Sequence, residues 1–221
     1  MALRRGLPLA VLGVAALLAA GCGGGKKNAS AGVGSTDANG CRTVSVPEPG
    51  ERSAPKPTKR LDASKTYELT LHTNCGDFTI WLDVRNAPAT TASLVSLARR
   101  GYFDHTLFHR IVPGFVIQGG DPTASGTGGP GYKTVDKPPA SARYRHGIVA
   151  MAKTQTEPAG TSGSQFFVVT GKDVGLPADY AVVGKVTKGL DVVDRIGALG
   201  DPTTEQPTET VEIEKATVGV S

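Results

Sequence analysis

From residue 65 onward the chain keeps starting a two-residue alternation and breaking it at a glycine-rich turn, and this limits the possible folds more than any other feature. "YELTLHTNCGDFTIWLD" contains two alternating runs around Asn74-Cys75-Gly76-Asp77, which is the pattern of a β-hairpin. Short β-like runs follow at 106–118, 147–152, 165–170 and 180–187, and "TETVEIEKATV" reads as a last strand. Two segments carry helical periodicity. In "APATTASLVSLARRGYFD", Leu94, Val95, Leu97 and Ala98 form an apolar stripe, Thr90 or Thr91 is placed to cap it, and Gly101 ends it. "GLDVVDRIGALG" is a second, shorter helix. Many short strands with two isolated helices predict a closed or nearly closed β-barrel. The 29 glycines and 15 prolines among 221 residues agree with a loop-rich β fold.

The first 64 residues cannot belong to such a core. "MALRRGLPLAVLGVAALLAAGC" places two arginines before an apolar run that ends in small residues and a cysteine, the pattern of a secretory signal over residues 1–21. The run is short for a spanning helix and contains Pro8. "LAAGC" resembles the lipobox of bacterial lipoproteins, which makes Cys22 the expected lipidation site and predicts an extracytoplasmic, lipid-anchored protein. Ala19 stands where that motif usually has leucine, so cleavage by ordinary signal peptidase remains the alternative. Residues 22–64 read as a tether: "GGGKKNASAGVGSTDANG" is flexible and "PEPGERSAPKPTKR" is stiffer. Cys41 and Cys75 are then an even pair in an oxidising compartment, read either as a disulfide or as two unrelated thiols. Formal charge is +4, and without Arg4 and Arg5 the remaining 22 basic and 20 acidic side chains give +2. No basic stripe with interleaved aromatics occurs, which argues against nucleic acid as a partner. The domain is expected to be a monomer.

Several patterns suggest chemistry that their context does not support. Gly126-Thr127-Gly128-Gly129-Pro130-Gly131 satisfies G-x-G-x-x-G, but Pro138-Pro139 and no helix follow it. "GTSGS" has Ser164 where a nucleophile elbow needs its last glycine. His105 and His109 lie in an extended run, roughly 13 Å apart at 3.3 Å per residue. Neither a metal site nor a cofactor is expected.

"FHRIVPGFVIQGGD" is harder to explain, because an arginine interrupts an apolar run and an unpaired guanidinium is costly to bury. Together with "GIVAMAK", "GSQFFVV" and "LPADYAVVGKV", the extended segment "FHRIVPGFVIQGGDPTASGTGGPGY" resembles the cyclophilin family of peptidyl-prolyl isomerases. The resemblance runs in order through residues 66–220, with "SLARRGYFD" matching the first helix. It implies a mainly β domain over 65–221: an eight-stranded antiparallel closed barrel capped by two helices, with its active face outside. Arg110 corresponds to the catalytic arginine. Phe115, Val116, Phe167 and Leu176 correspond to the pocket for the substrate proline, with Tyr180 at its edge. Gln118 corresponds to the glutamine that orients the arginine, and Ala152 and Lys153 to the loop whose backbone pairs with the residue before proline. His109 corresponds to a position beside the pocket. Val116, Tyr180 and Gly175 depart from residues common in the family, namely methionine, histidine and tryptophan.

The implied chemistry suits these residues. Rotation about an X–Pro bond is slow because it breaks amide resonance, with a barrier of about 20 kcal/mol. No bond to another atom has to form, so no nucleophile, metal or cofactor is needed. In the twisted state the nitrogen lone pair can accept a hydrogen bond, and a fixed guanidinium favours that state over the planar one. The expected substrates are proline-containing peptides and unfolded secreted or envelope proteins. The alternatives are a tethered module that binds proline peptides with little turnover, and a structural lipoprotein that uses the barrel as scaffold.

Overall fold

The computed structural model describes residues 36–221, and the signal-like segment and Cys22 lie outside the described residues. The first hairpin forms as its alternation predicts: β1 (Tyr67–Thr73) and β2 (Gly76–Leu82) pair antiparallel across Asn74-Cys75. After α1 (Pro88–Arg99) come β3 (Thr106–Leu107), β4 (Arg110–Val112), β5 (Val116–Gly119), β6 (Thr134–Val135), β7 (Ile148–Met151), β8 (Thr161–Ser162), β9 (Phe166–Val169) and β10 (Val182–Lys188). α2 (Leu190–Gly197) and β11 (Glu212–Val220) complete the domain.

Nine strands form one antiparallel sheet in the order β3-β11-β1-β2-β10-β7-β9-β5-β4. Its two edge strands, β3 and β4, follow each other in the chain with only Phe108 and His109 between them. The sheet must therefore curl until its edges meet. β3 and β4 do not pair with each other, and β6 and β8 form a separate two-stranded piece. Mainly β with two helices thus describes the domain, while eight strands and a closed barrel hold only approximately. The inside of the curl is apolar: Leu69, Leu71, Phe78, Phe108, Ile111, Ile117, Phe166 and Val168 are all buried there. Phe166 meets Phe103 and Phe108 edge-on, with ring centroids 6.0 Å apart in both cases. α1 packs on β11 and β6, and α2 on β2, β4 and β5.

Two expectations are corrected here. Neither Thr90 nor Thr91 caps α1, because Pro88 starts the helix two residues earlier and both threonines are buried within it. The orphan N–H of Thr90 is satisfied from outside the helix by Asp136 Oδ2, at 2.6 Å. The second correction concerns the tether. Residues 36–64 are not free: they run along the domain as a strap and belong to the same compact unit as residues 65–221. Gly50 N–H donates to Pro122 O (3.0 Å) and Ala54 N–H to Pro130 O (3.1 Å). The Arg52 guanidinium donates to the carbonyls of Tyr102 and Asp104, both at 2.7 Å. Arg42 pairs with Glu214.

A disulfide joins Cys41 in the strap to Cys75 in the first hairpin turn, closing 34 residues of sequence. A link of that span stabilises by about 2–4 kcal/mol, mainly by restricting the unfolded chain. Cys41→Ser is therefore expected to lower the unfolding free energy by about that amount. Non-reducing peptide mapping of protein exported to an oxidising compartment should recover the Cys41–Cys75 peptide.

Candidate active site

Register explains the arginine amid the apolar residues of "FHRIVPGFVIQGGD". Val112-Pro113-Gly114-Phe115 makes a two-residue turn, with Phe115 N–H on Val112 O at 3.0 Å and Gly114 at φ 70°. Proline then glycine at these positions is the combination a type II turn requires. The turn sets β4 against β5 so that Arg110 lies opposite Gln118. Gln118 is in turn opposite Phe167 of β9, and Phe167 is opposite Ala150 of β7. Four neighbouring strands thus place Arg110, Gln118, Phe167 and Ala150 in one row on the outer face. Because side chains alternate along a strand, Ile111, Ile117, Phe166 and Val168 point into the core instead.

The outer face carries a second apolar cluster containing Val116, Tyr144, Ala150, Phe167 and Val169. Above it is a pocket of about 200 Å³ lined by Arg110, Phe115, Val116, Gln118, Ala152, Lys153, Phe167, Leu176 and Tyr180. Phe167 and Tyr180 meet edge-on, with centroids 5.6 Å apart. Tyr144, buried beneath, accepts from Tyr180 N–H (3.0 Å) and donates to Tyr180 O (2.7 Å), fixing the backbone at the rim.

The guanidinium is held on two sides. Nε donates to Glu205 Oε2 at 2.7 Å, and Nη1 donates to Gln118 Oε1 at 3.3 Å. Gln118 Nε2 then donates to Gln165 Oε1 (3.0 Å), and Gln165 Nε2 reaches Gly128 O (3.0 Å) and Asp121 Oδ2 (3.4 Å). Asp121 is fully buried. Burial disfavours its charge, but hydrogen bonds from Thr123, Gly128 and Gly126 outweigh that and hold the carboxyl below its ordinary range. A chain of contacts therefore runs from an ionised, buried aspartate to the arginine at the pocket mouth.

Nine of the ten residues assigned to substrate binding or catalysis line the pocket, and His109 does not. His109 lies at the crossing from one sheet edge to the other, where both its ring nitrogens are shielded from solvent. Burial lowers its pKa, against the opposing charge of Asp121, so the ring is neutral at pH 7. Lys153 differs as well. Sequence suggested a role for its backbone only, yet its side chain is almost fully buried, with Nζ 2.5 Å from Asp179 Oδ2. Nζ also donates to Glu157 O (3.0 Å) and Thr154 O (3.1 Å), tying the 153–157 loop to the loop that carries Tyr180. The N–H of Ala152 is already committed to Gln165 O at 2.9 Å. Gly175 has φ +63°, so a tryptophan at that position would be forced into a left-handed backbone. Glu205 was missed altogether.

An apolar pocket with a fixed guanidinium at its mouth can receive an apolar ring and offer a hydrogen-bond donor to a group beside it. Comparison with known proteins agrees. Residues 68–218 match the family described as cyclophilin type peptidyl-prolyl cis-trans isomerase/CLD. The chain is 36% identical over 150 residues to a peptidyl-prolyl cis-trans isomerase of Arabidopsis thaliana, covering 66% of this chain and 90% of that one. It is 36% identical over 171 residues to peptidyl-prolyl cis-trans isomerase A of Mycobacterium tuberculosis, covering 69% and 92%. Among solved structures, a cyclophilin-type isomerase of Cryptosporidium parvum in the presence of the dipeptide Ala-Pro superposes with a TM-score of 0.64 at 29% identity, covering 69% of this chain and 98% of that one. The chain belongs to the cyclophilin-type peptidyl-prolyl cis-trans isomerase family, and its function is that of the family.

Proposed function

We propose that this chain catalyses rotation of X–Pro bonds with Arg110 as the catalytic residue, acting on unfolded proteins outside the cytoplasm from a lipid anchor at Cys22. The row Arg110, Gln118, Phe167 across three paired strands carries the reading, because one register fixes both the donor and the floor of the pocket. Phe115, Val116, Phe167 and Leu176 take the proline ring, and Tyr180 closes one edge. With the ring held, rotation moves the acyl side past the guanidinium. The nitrogen becomes pyramidal and basic only in the twisted state, so the Arg110 hydrogen bond is strongest there. The apolar surroundings also disfavour the charge-separated planar amide. Arginine fits the task because it never gives up its charge and presents its donors in a fixed fork.

Exchange NMR on an Ala-Pro peptide tests this reading. Catalytic amounts of the purified chain should speed cis–trans exchange, which is otherwise a matter of tens of seconds or longer. Binding of the peptide without faster exchange would instead identify a proline-peptide binding module.

The lipobox-like "LAAGC" supports the anchor. An acylated cysteine carrying two or three chains holds a protein firmly to a bilayer, whereas a single chain is marginal. Cys22→Ser is expected to move the protein from the membrane fraction to the soluble exported fraction. Partition with membranes after a salt wash in this variant would reject the anchor.

A further inference from the structure

We propose that Glu205 is the positioning residue of Arg110, fixing the plane of the guanidinium so that its free N–H groups face the bound amide. This rests on the catalytic reading of Arg110 above. Arginine reaches the pocket mouth on a long, flexible stem, and a donor that swings contributes little to a transition state. The Gln118 contact alone is weak, since 3.3 Å to a neutral amide oxygen is long. The Glu205 contact is short and charge-assisted, at 2.7 Å to Nε. Together they grip the planar group at two separate nitrogens and leave Nη2 without a hydrogen bond among the described residues.

The loop that carries Glu205 is built for this contact. Glu205 sits at φ 59°, a left-handed conformation that glycine adopts easily and glutamate does not. It is held there by Glu205 N–H on Asp201 O (2.8 Å) and by Ile111 N–H on Glu205 O (2.9 Å). Asp201 Oδ1 accepts from Thr203 and Thr204 N–H, both at 2.8 Å, and stiffens the turn. The backbone of Glu205 is thus pinned to the residue next to Arg110, and its side chain to Arg110 itself. Glycine would satisfy the backbone, so the carboxylate must account for a glutamate here. Stability does not explain it, because an ion pair with side chains 33% and 45% exposed adds little to folding.

The test uses Glu205→Gly, Glu205→Ala and Glu205→Gln in the full chain, with Arg110→Ala alongside. In Glu205→Gly and Glu205→Ala, kcat should fall by about tenfold or more, short of the roughly 10²-fold that a full 1 Å misplacement can cost because Gln118 still holds Nη1, with KM unchanged within about twofold. Glu205→Gly should melt no lower than wild type. Glu205→Gln should recover most of kcat, since its amide oxygen can still accept from Nε. The Arg110 Nε–H NMR signal should be sharp in wild type and Glu205→Gln, and broadened in Glu205→Ala. Wild-type or raised kcat in Glu205→Gly would overturn the proposal, as would a Glu205→Gln variant as slow as Glu205→Ala. Full activity in Arg110→Ala would instead remove the catalytic reading beneath it.

Discussion

Arg110→Ala is expected to slow catalysed isomerisation by about 10²–10³-fold, the usual cost of losing one preorganised donor to a transition state. The fold should hardly change. Arg110 lies on the outer face of the sheet, and its side chain is 33% exposed in an ion pair with a partner 45% exposed. Such pairs are worth about 0–1 kcal/mol. Arg110→Lys should recover little activity, because an ammonium keeps the charge but cannot bond Glu205 and Gln118 while presenting further donors in the same plane. Exchange NMR on the Ala-Pro peptide gives the rate, and a thermal melt monitors the fold. A rate within threefold of wild type, at unchanged stability, would remove Arg110 from the mechanism.

The central part of this site was legible through the resemblance, and the structure supplies the local reason. A Pro-Gly turn between two short runs sets the pairing of Arg110 with Gln118. Alternation alone puts Phe166 and Phe167 on opposite faces without saying which is out; the resemblance assigned Phe167 to the pocket, and the register places it opposite Gln118. Glu205 is 95 residues from Arg110 in sequence and sits in a loop without periodicity. Its only local sign is Asp201 ahead of "PTTE", which marks a turn but not where the turn points. The tandem glycine after Gln118 was equally opaque. A Cβ on Gly120 would meet Ser164 O at 2.5 Å, and the residue has φ +82°, so a close backbone crossing from a distant segment dictates the choice.

The strap shows a different limit. Its composition tells correctly that it cannot bury a core of its own. Composition does not tell whether such a segment can lie along a core that another part of the chain provides. What holds it is a disulfide, backbone hydrogen bonds at Gly50 and Ala54, and the Arg52 guanidinium on two carbonyls, none of which needs hydrophobic periodicity.

Asp121→Ala is expected to be the most destabilising single change near the site. Its carboxylate is 0% exposed. Oδ1 accepts from Thr123 N–H (2.8 Å) and Thr123 Oγ1 (2.7 Å), and Oδ2 from Gly126 N–H (2.7 Å) and Gly128 N–H (3.1 Å). Alanine removes every one of these acceptors at once. Unsatisfied buried donors cost about 1–3 kcal/mol each before relaxation, so a net loss of about 3–5 kcal/mol is expected once the loop loosens. For a chain of this size that is a fall in Tm of roughly 10 °C. The rate should fall as well, because Gln165 is steadied by Asp121 and by Gly128 O on the same loop, and Gln165 steadies Gln118. The pH dependence follows from the sign of the shift. Hydrogen bonding keeps the Asp121 carboxyl below its ordinary value despite burial. Its contribution to stability is then present above the unfolded pKa of about 4 and is lost as pH falls through the lower folded value. Wild-type stability in urea should therefore drop on acidification below about pH 4 more steeply than that of Asp121→Ala. Parallel acid limbs for the two proteins would show that Asp121 is not held ionised by its loop, and with that the anchor assigned to Gln165 and Gln118 would be lost.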